Sequence, residues 1–403
     1  MIVHFEPASE EGIATVVRAM AADRASLAVI GGGTRSGLGN PVRADRVLST
    51  RRLSGIVSYN PAEMTVSALA GTPLCEIEAA LAENRQMLSF EPMDHRPIFA
   101  TSGEPTIGGV FAANVSGPRR LIAGAARDSL LGIRFVNGSG DAIKAGGRVM
   151  KNVTGLDLVK LLAGSHGTLG ILTEVTFRVL PTPPTAETVV ISGLNDAEAA
   201  AVMAEAMAQT VEVSGAAHLA ESVRGRFIGG SLPDGAATVL RLEGLPASVS
   251  IRAEKLVKAL DRFGAVTRLD AEPTATLWSE IRDVKPYADG TERPLWRVSV
   301  APSAGHQLVA ALRLQTGVDA FYDWQGGLVW LRMEADPEAP LLRRYIKALG
   351  GGHATLVRAN DGLRAAIPSF EPQPQPVALL SERVRAKFDP QRIFNPGRMQ
   401  AVS

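Results

Sequence analysis

Among 403 residues the chain has one cysteine, Cys75. A single thiol cannot close a disulfide within the chain, and it cannot ligate an iron–sulfur cluster, which takes several thiolates. The scarcity fits a reducing compartment. An excess of charge is missing too: 42 Lys and Arg stand against 41 Asp and Glu, a formal net charge of +1 that gives no footprint for nucleic acid. No uncharged apolar run is long enough to span a bilayer, and Met1-Ile2-Val3-His4-Phe5-Glu6-Pro7 lacks the basic start and apolar run of a signal peptide. The expected location is the cytoplasm, with any attachment to the inner face of a membrane made through partners. Histidines His4, His95, His166, His218, His306 and His353 show no metal-site spacing, so no metal is expected. Aromatics are only 5% against 40 glycines, a balance that favours tight turns and small-residue packing.

With 46% hydrophobic residues, the chain can bury a sizeable core in two or three domains. Its most informative stretch is Ala28-Val29-Ile30-Gly31-Gly32-Gly33-Thr34-Arg35-Ser36-Gly37. The apolar run Leu27 to Ile30 reads as a strand. The glycines permit unusual backbone angles and let amide N–H groups converge on an anion. Thr34 and Ser36 add hydroxyls and Arg35 adds charge. A bound diphosphate and a plain glycine-rich turn both fit. The Rossmann fingerprint does not, because Gly39 and Pro41 argue against a helix start, and no Lys-Ser/Thr pair makes a Walker loop.

Residues 10–22 carry Ile13, Val16, Val17 and Met20 on one helical face. Short strands follow over 45–70, and Gly71-Thr72-Pro73 starts a helix lined by Leu74, Ile77 and Leu81, with Thr72 as its expected cap. A second small-residue block runs Pro105-Thr106-Ile107-Gly108-Gly109-Val110-Phe111-Ala112-Ala113-Asn114-Val115-Ser116-Gly117-Pro118-Arg119-Arg120. A core helix fills volume with Leu or Ile, so this block faces a ligand or packs unusually closely. Asn137-Gly138-Ser139-Gly140 marks a hairpin. A third block, 151–174, contains Asn152-Val153-Thr154-Gly155, a helix near Asp157–Leu162, and Gly164-Ser165-His166-Gly167-Thr168-Leu169-Gly170-Ile171. An alternating strand then closes at Pro181-Thr182-Pro183-Pro184.

Residues 185–360 alternate strands, at 188–192, 237–242, 295–300, 328–333 and 353–357, with helices at 196–209, 250–263, 274–284, 305–314 and 339–349. This predicts an α+β domain with antiparallel pairing and no long sequence repeat. The tail, a helix over 379–388 and then Phe388-Asp389-Pro390-Gln391-Arg392-Ile393-Phe394-Asn395-Pro396-Gly397-Arg398, is either a plain clip or a segment returning to the ligand.

Taken in order, these blocks resemble the FAD-binding domain of the vanillyl-alcohol oxidase superfamily, the PCMH-type flavin domain. Within it, Ser116–Arg120, Pro294–Val300 and Asp323-Trp324-Gln325-Gly326-Gly327 resemble the flavin subunits of bacterial glycolate oxidase complexes. The resemblance implies an α+β fold: a two-part FAD-binding domain over 1–180, a smaller α+β cap over 185–360 and a C-terminal segment over 375–403 returning to the flavin. It implies non-covalent FAD held by Gly31–Gly37, Pro105, Thr106, Gly108, Gly109, Ala113, Asn114, Ser116, Gly117, Thr154, Asp157, Gly164, Gly167, Thr168, Gly170, Ile171 and Asn395. It implies a small 2-hydroxy acid substrate, a homologous flavin subunit and an iron–sulfur subunit as partners. Arg297 is the candidate for the substrate carboxylate and His353 for the base. A solvent-side salt bridge for Arg297 and a surface or packing role for His353 stand beside those readings. A stand-alone flavin dehydrogenase and a non-catalytic assembly subunit are the alternatives for the whole chain.

Overall fold

The computed structural model describes residues 3–147 and 156–400, so Thr154 lies outside the described residues. The chain forms two compact units. Unit 1 comprises Met1–Ser116, Gly124–Thr182 and Pro372–Ser403, and unit 2 comprises Gly117–Ala123 and Pro183–Glu371.

Unit 1 is built on two main sheets. β1 (Val3–Phe5), β2 (Leu27–Ile30) and β3 (Arg46–Ser49) are parallel, in the order β1-β3-β2. Parallel strands need a crossover, and the helix Glu10–Asp23 lies between β1 and β2 in the chain. Ser9 caps it, accepting the Gly12 N–H at 3.1 Å, and Glu10 and Glu11 sit at its positive end. Its buried Ile13, Ala14, Val17 and Met20 pack with Leu27 and Leu48 in one core. The second sheet is antiparallel, with β4 (Ile56–Asn60), β5 (Thr65–Leu69), β7 (Leu130–Val136), β8 (Ala142–Gly146) and β9 (Ile171–Arg178) in the order β4-β5-β9-β7-β8. β6 (Gln86–Met87) and β10 (Leu180–Pro181) form a short separate pair. Val136, Ile171 and the tail residues Ile393 and Phe394 join the same core as the first helix.

Thr72 does not cap the next helix. Pro73 holds that position, and the fully buried Thr72 hydroxyl donates instead to the Leu69 carbonyl at 2.6 Å. A proline cannot offer a side-chain cap, so the hydroxyl one residue earlier serves the preceding loop.

Unit 2 is a single eight-stranded sheet with β11 (Thr185–Ser192), β12 (Val213–Leu219), β13 (Ala237–Gly244), β14 (Val266–Leu269), β15 (Leu295–Val300), β16 (Val318–Asp323), β17 (Leu328–Met333) and β18 (Gly352–Arg358). Every pairing is antiparallel. The order is β14-β11-β13-β12-β16-β17-β15-β18, so each half runs strand, helix, strand, strand, helix, strand, and the two halves meet at β12 and β16 in mirrored order. No sequence repeat announces this duplication. Each half keeps its own core: the helices Asp196–Ala208 and Pro246–Leu260 in the first, Gly305–Arg313 and Ala339–Ala348 in the second. A helix packed on a sheet needs an apolar stripe, not particular residues, so the architecture repeats while the letters diverge.

Candidate functional site

In unit 1 the chain leaves β2 into the three glycines, and the resulting loop walls a recess with Arg35, Ser36, Thr106, Gly109, Ala113, His166, Asn395 and Arg398. An adjoining recess shares Val29, Gly31, Gly109, Ala112 and His166 and adds Gly108, Gly167, Gly170 and Ile171. The glycines divide by task. A Cβ on Gly31 would stand 2.2 Å from the Thr106 hydroxyl, one on Gly32 1.6 Å from the Glu104 carbonyl oxygen, and one on Gly108 2.6 Å from the Ala70 Cβ. These three allow the loop and the helix Ile107–Ala112 to pack closely. Gly33 has φ +78° and nothing within 4 Å of where its Cβ would be. Close packing thus accounts for Gly31, Gly32 and Gly108, while Gly33 opens onto free space.

The loop leaves its donors open. Among the described residues, no protein acceptor takes the backbone N–H of Gly32, Gly33, Thr34, Arg35 or Ser36. Successive unpaired amides lining a recess form an anion-binding nest. The Arg35 side chain adds positive charge at the same wall, with Nε 3.3 Å from His95 Nδ1 and Nη2 3.4 Å from the Met93 carbonyl. Burial lowers its pKa to about 10 against the opposing pull of Asp94, so it stays charged at neutral pH. Amides and guanidinium together have the chemistry to hold a diphosphate such as that of FAD.

The tail completes this wall. Asp389 accepts the Ile393 and Phe394 amides at 3.0 and 2.9 Å, which bends the chain and seats fully buried Phe394 in the core. Ile393 and Asn395 then extend the β2 edge: Leu27 N–H donates to Ile393 O at 2.7 Å, and Asn395 N–H donates to Leu27 O at 2.8 Å. The Asn395 side chain accepts the Val29 N–H at 2.8 Å and donates to the His166 carbonyl at 2.9 Å. Arg398 donates to the Ser36 and Leu38 carbonyls at 3.0 and 2.7 Å. The tail thus ties β2, the nest and the 164–170 loop together.

Several expected ligand residues also bond or pack within the protein. Asn114 Oδ1 accepts the Arg127 N–H, Ser116 Oγ accepts the Ala126 N–H, and Thr168 Oγ1 donates to Ser165 O. Asp157 is exposed and caps the helix Leu158–Leu162 through the Lys160 N–H. Gly37 packs on Phe99, and Pro105 accepts the Leu74 N–H. Gly164, at φ +82°, faces the Asn114 Cβ at 3.4 Å. Gly117 belongs to unit 2, where its carbonyl accepts the Trp324 indole N–H at 3.0 Å. Besides wall residues such as Val29 and Ala112, the recess holds Arg398, which the motifs did not assign to it, and His166, which they left as either tuning the flavin or neutral. His166 sits at φ +52°, and burial, then the Arg398 charge, lowers its pKa to about 4, so the imidazole is neutral at pH 7. Both lie in quoted motifs, where the signal available was a polar residue flanked by glycines.

Arg297 and His353 lie in unit 2 on paired strands. Ser299 is opposite His353 and Arg297 opposite Thr355, so the two candidates lie on one face of the sheet, diagonally related. His353 is exposed and Arg297 half-buried. Among the described residues no group of three or more His, Cys, Asp or Glu could hold a metal, and no helix is long and apolar enough to cross a membrane. Cys75 is exposed on the helix Leu74–Glu83.

Comparison with known proteins places these features. Residues 2–146 match the family described as "FAD binding domain". Over 94% of both chains, the sequence is 33% identical to glycolate oxidase subunit GlcE of Escherichia coli K12. D-2-hydroxyglutarate dehydrogenase of Xanthomonas citri pv. viticola is 37% identical over 44% of this chain and 36% of its own length. Among solved structures, p-cresol methylhydroxylase superposes with a TM-score of 0.72 at 15% identity, covering 99% of this chain and 88% of that one. That likeness, and that to 4-ethylphenol oxidase from Gulosibacter chungangensis (TM-score 0.69, 16% identity, 98% of this chain and 88% of that one), is one of fold. FAD is the cofactor of the family, and the chain carries the PCMH-type fold.

Proposed function

Because the chain belongs to the GlcE family of FAD-binding oxidoreductase subunits, we propose that it is the flavin subunit of a complex that oxidises a 2-hydroxy acid, with glycolate going to glyoxylate. The substrate loses a hydride from Cα and a proton from its hydroxyl, and the two electrons pass onward to an iron–sulfur partner. With one cysteine in this chain, a thiolate-ligated cluster must belong to that partner. FAD, when bound, supplies the two-electron acceptor. The chain's own residues do the rest. The amides of Gly32 to Ser36 would hold the diphosphate, Arg35 would balance its charge, and the Asn395–Arg398 clip would fix the wall of the recess that receives it. His353, exposed beside Ser299, is the proposed acceptor of the hydroxyl proton. The observation that carries this reading is the run of unpaired amides in a chain whose relative over nearly its whole length is a glycolate oxidase subunit.

The test is a visible spectrum, recorded on the purified chain and on the chain co-purified with its partner subunits. The expected result is a flavin spectrum that bleaches anaerobically when glycolate or D-lactate is added. A colourless protein, or a yellow complex that neither acid bleaches, overturns the proposal.

A further inference from the structure

Behind the glycine loop of unit 1 runs a segment that the proposed function leaves without a task, residues 93–103. It packs closely on the loop. A Cβ on Gly37 would meet the Phe99 ring at 2.6 Å, and one on Gly103 would stand 1.8 Å from the Gly32 carbonyl oxygen. Thr101 Oγ1 donates to the Thr34 carbonyl at 3.3 Å. His95, 6% exposed, precedes the short helix Arg96–Phe99 in this segment. Its ring stacks on Phe99, with centroids 5.8 Å apart and planes inclined by 10°. The Phe99 N–H donates to the His95 carbonyl at 3.0 Å, so backbone and ring contacts together fix the imidazole.

The imidazole grips Arg35 along one edge. Arg35 Nε lies 3.3 Å from His95 Nδ1, and Nη2 lies 3.4 Å from the Met93 carbonyl. Nδ1 is also 3.2 Å from that carbonyl, and an imidazole nitrogen either donates or accepts. A proton on Nδ1 would point at the carbonyl and leave no lone pair for Arg35. With the ring proton on Nε2, Nδ1 accepts the Nε–H and the carbonyl accepts the Nη2–H, which satisfies both contacts of the guanidinium. The side edge of the fork is thereby occupied. Nη1 makes no hydrogen bond among the described residues. It stands 3.4 Å from where a Gly109 Cβ would lie, at the recess that Arg35 and Gly109 both line.

We propose that His95 is a positioning residue for the cofactor: by accepting the Nε–H it presets the Arg35 guanidinium, with Nη1 left for the diphosphate. A free arginine side chain loses rotamer freedom when it closes on an anion, and one already held loses little. The acceptor is suited to this task because it is uncharged. A carboxylate in its place would hold the same edge but neutralise the cation, whereas an imidazole lone pair fixes the geometry and leaves the full charge for the ligand. His95 thus acts through Arg35. The inference rests on the function proposed above, in which the glycine loop receives the diphosphate.

The experiment is titration of the full chain, stripped of cofactor, with FAD, read by flavin fluorescence and independent of turnover. The chains compared are wild type, His95→Phe, His95→Asn, Arg35→Met and the double variant Arg35→Met with His95→Phe, each first checked for wild-type circular dichroism and melting. His95→Phe keeps a ring on Phe99 and removes the acceptor, and His95→Leu replaces it if it melts early. His95→Asn returns an acceptor oxygen near the place of Nδ1. His95→Phe is expected to weaken FAD about fivefold or more, and His95→Asn by no more than about twofold. With Arg35→Met already in place, His95→Phe should weaken FAD no further, because its effect passes through the guanidinium. Unchanged affinity in the folded His95→Phe chain, an equal loss in His95→Asn, or the same added loss in the double variant overturns the inference. Weaker binding in Arg35→Met beside unchanged binding in His95→Phe removes the positioning role alone. If wild type does not bind FAD, or Arg35→Met binds it like wild type, the reading of the loop falls and this inference with it.

Discussion

Around the nest of unit 1 the donors are main-chain: five successive amides with no acceptor, brought to one wall by glycines that let backbone meet backbone. On the sheet of unit 2 the candidate donor is a side chain, Arg297, stacked on the indole of Trp324. Main-chain donors cannot be deleted by mutation, only displaced by an added side chain. Guanidinium donors can be deleted without moving the backbone. Unit 1 should therefore fail through sterics and closure, and unit 2 through loss of charge.

The harshest way to break the comparison is Gly32→Ala. Its new Cβ would meet the Glu104 carbonyl oxygen, a main-chain atom that has little freedom to give way. Destabilisation of more than about 3 kcal/mol is expected, with FAD lost on gel filtration. Chemical denaturation and absorbance check both. Next comes pH. Because the folded-state pKa of His166 is about 4, below the usual 6.5, the unfolded chain binds more protons between those values. Stability of the cofactor-free chain should be complete above pH 6.5 and fall as pH drops toward 4, by up to about 3 kcal/mol. Urea melts across this range should show the slope, and His166→Asn should flatten it. Asn395→Ala strips the hydrogen bonds to Val29, His166 and Gly167. A loss of about 2 kcal/mol and a weaker hold on FAD are expected, and unchanged FAD retention would show that the clip does not shape the nest. The mildest change is Glu187→Gln, which removes a partly exposed pair with Arg268 and should cost about 0.5 kcal/mol at most in a melt.

Much of this was legible from local chemistry. The strand into Gly31-Gly32-Gly33, the helix at 10–22, and the helices and five of the eight strands of 185–360 follow from periodicity and turn residues. β12, β14 and β16 were not seen. β12 reads Val-Ser-Gly-Ala-Ala-His-Leu, fully buried on both faces and too poor in branched residues to signal a strand. β14 and β16 mix charge with apolar residues, because their neighbours in the sheet, not their own patterns, set their state. The duplicated topology was invisible for a related reason, since packing demands volume and stripe but not identity. In the recess, motif reading found the nest but could not say which side chains face inward. Asn114, Ser116 and Thr168 have the right chemistry to touch a ligand, and each also bonds a nearby backbone group. Arg398 emerges only when a contact across 362 residues brings the tail against the glycine loop.

That long contact has a consequence for biosynthesis. The Val29 amide waits for a partner 366 residues further along. At ribosomal speeds of about 5–20 residues per second, roughly 20 to 70 s separate the emergence of the glycine loop from that of the asparagine that secures it. Until then the nascent loop is an anion trap without its latch, so cofactor loading is expected to be a late, near-terminal event rather than a nucleus around which the early chain folds.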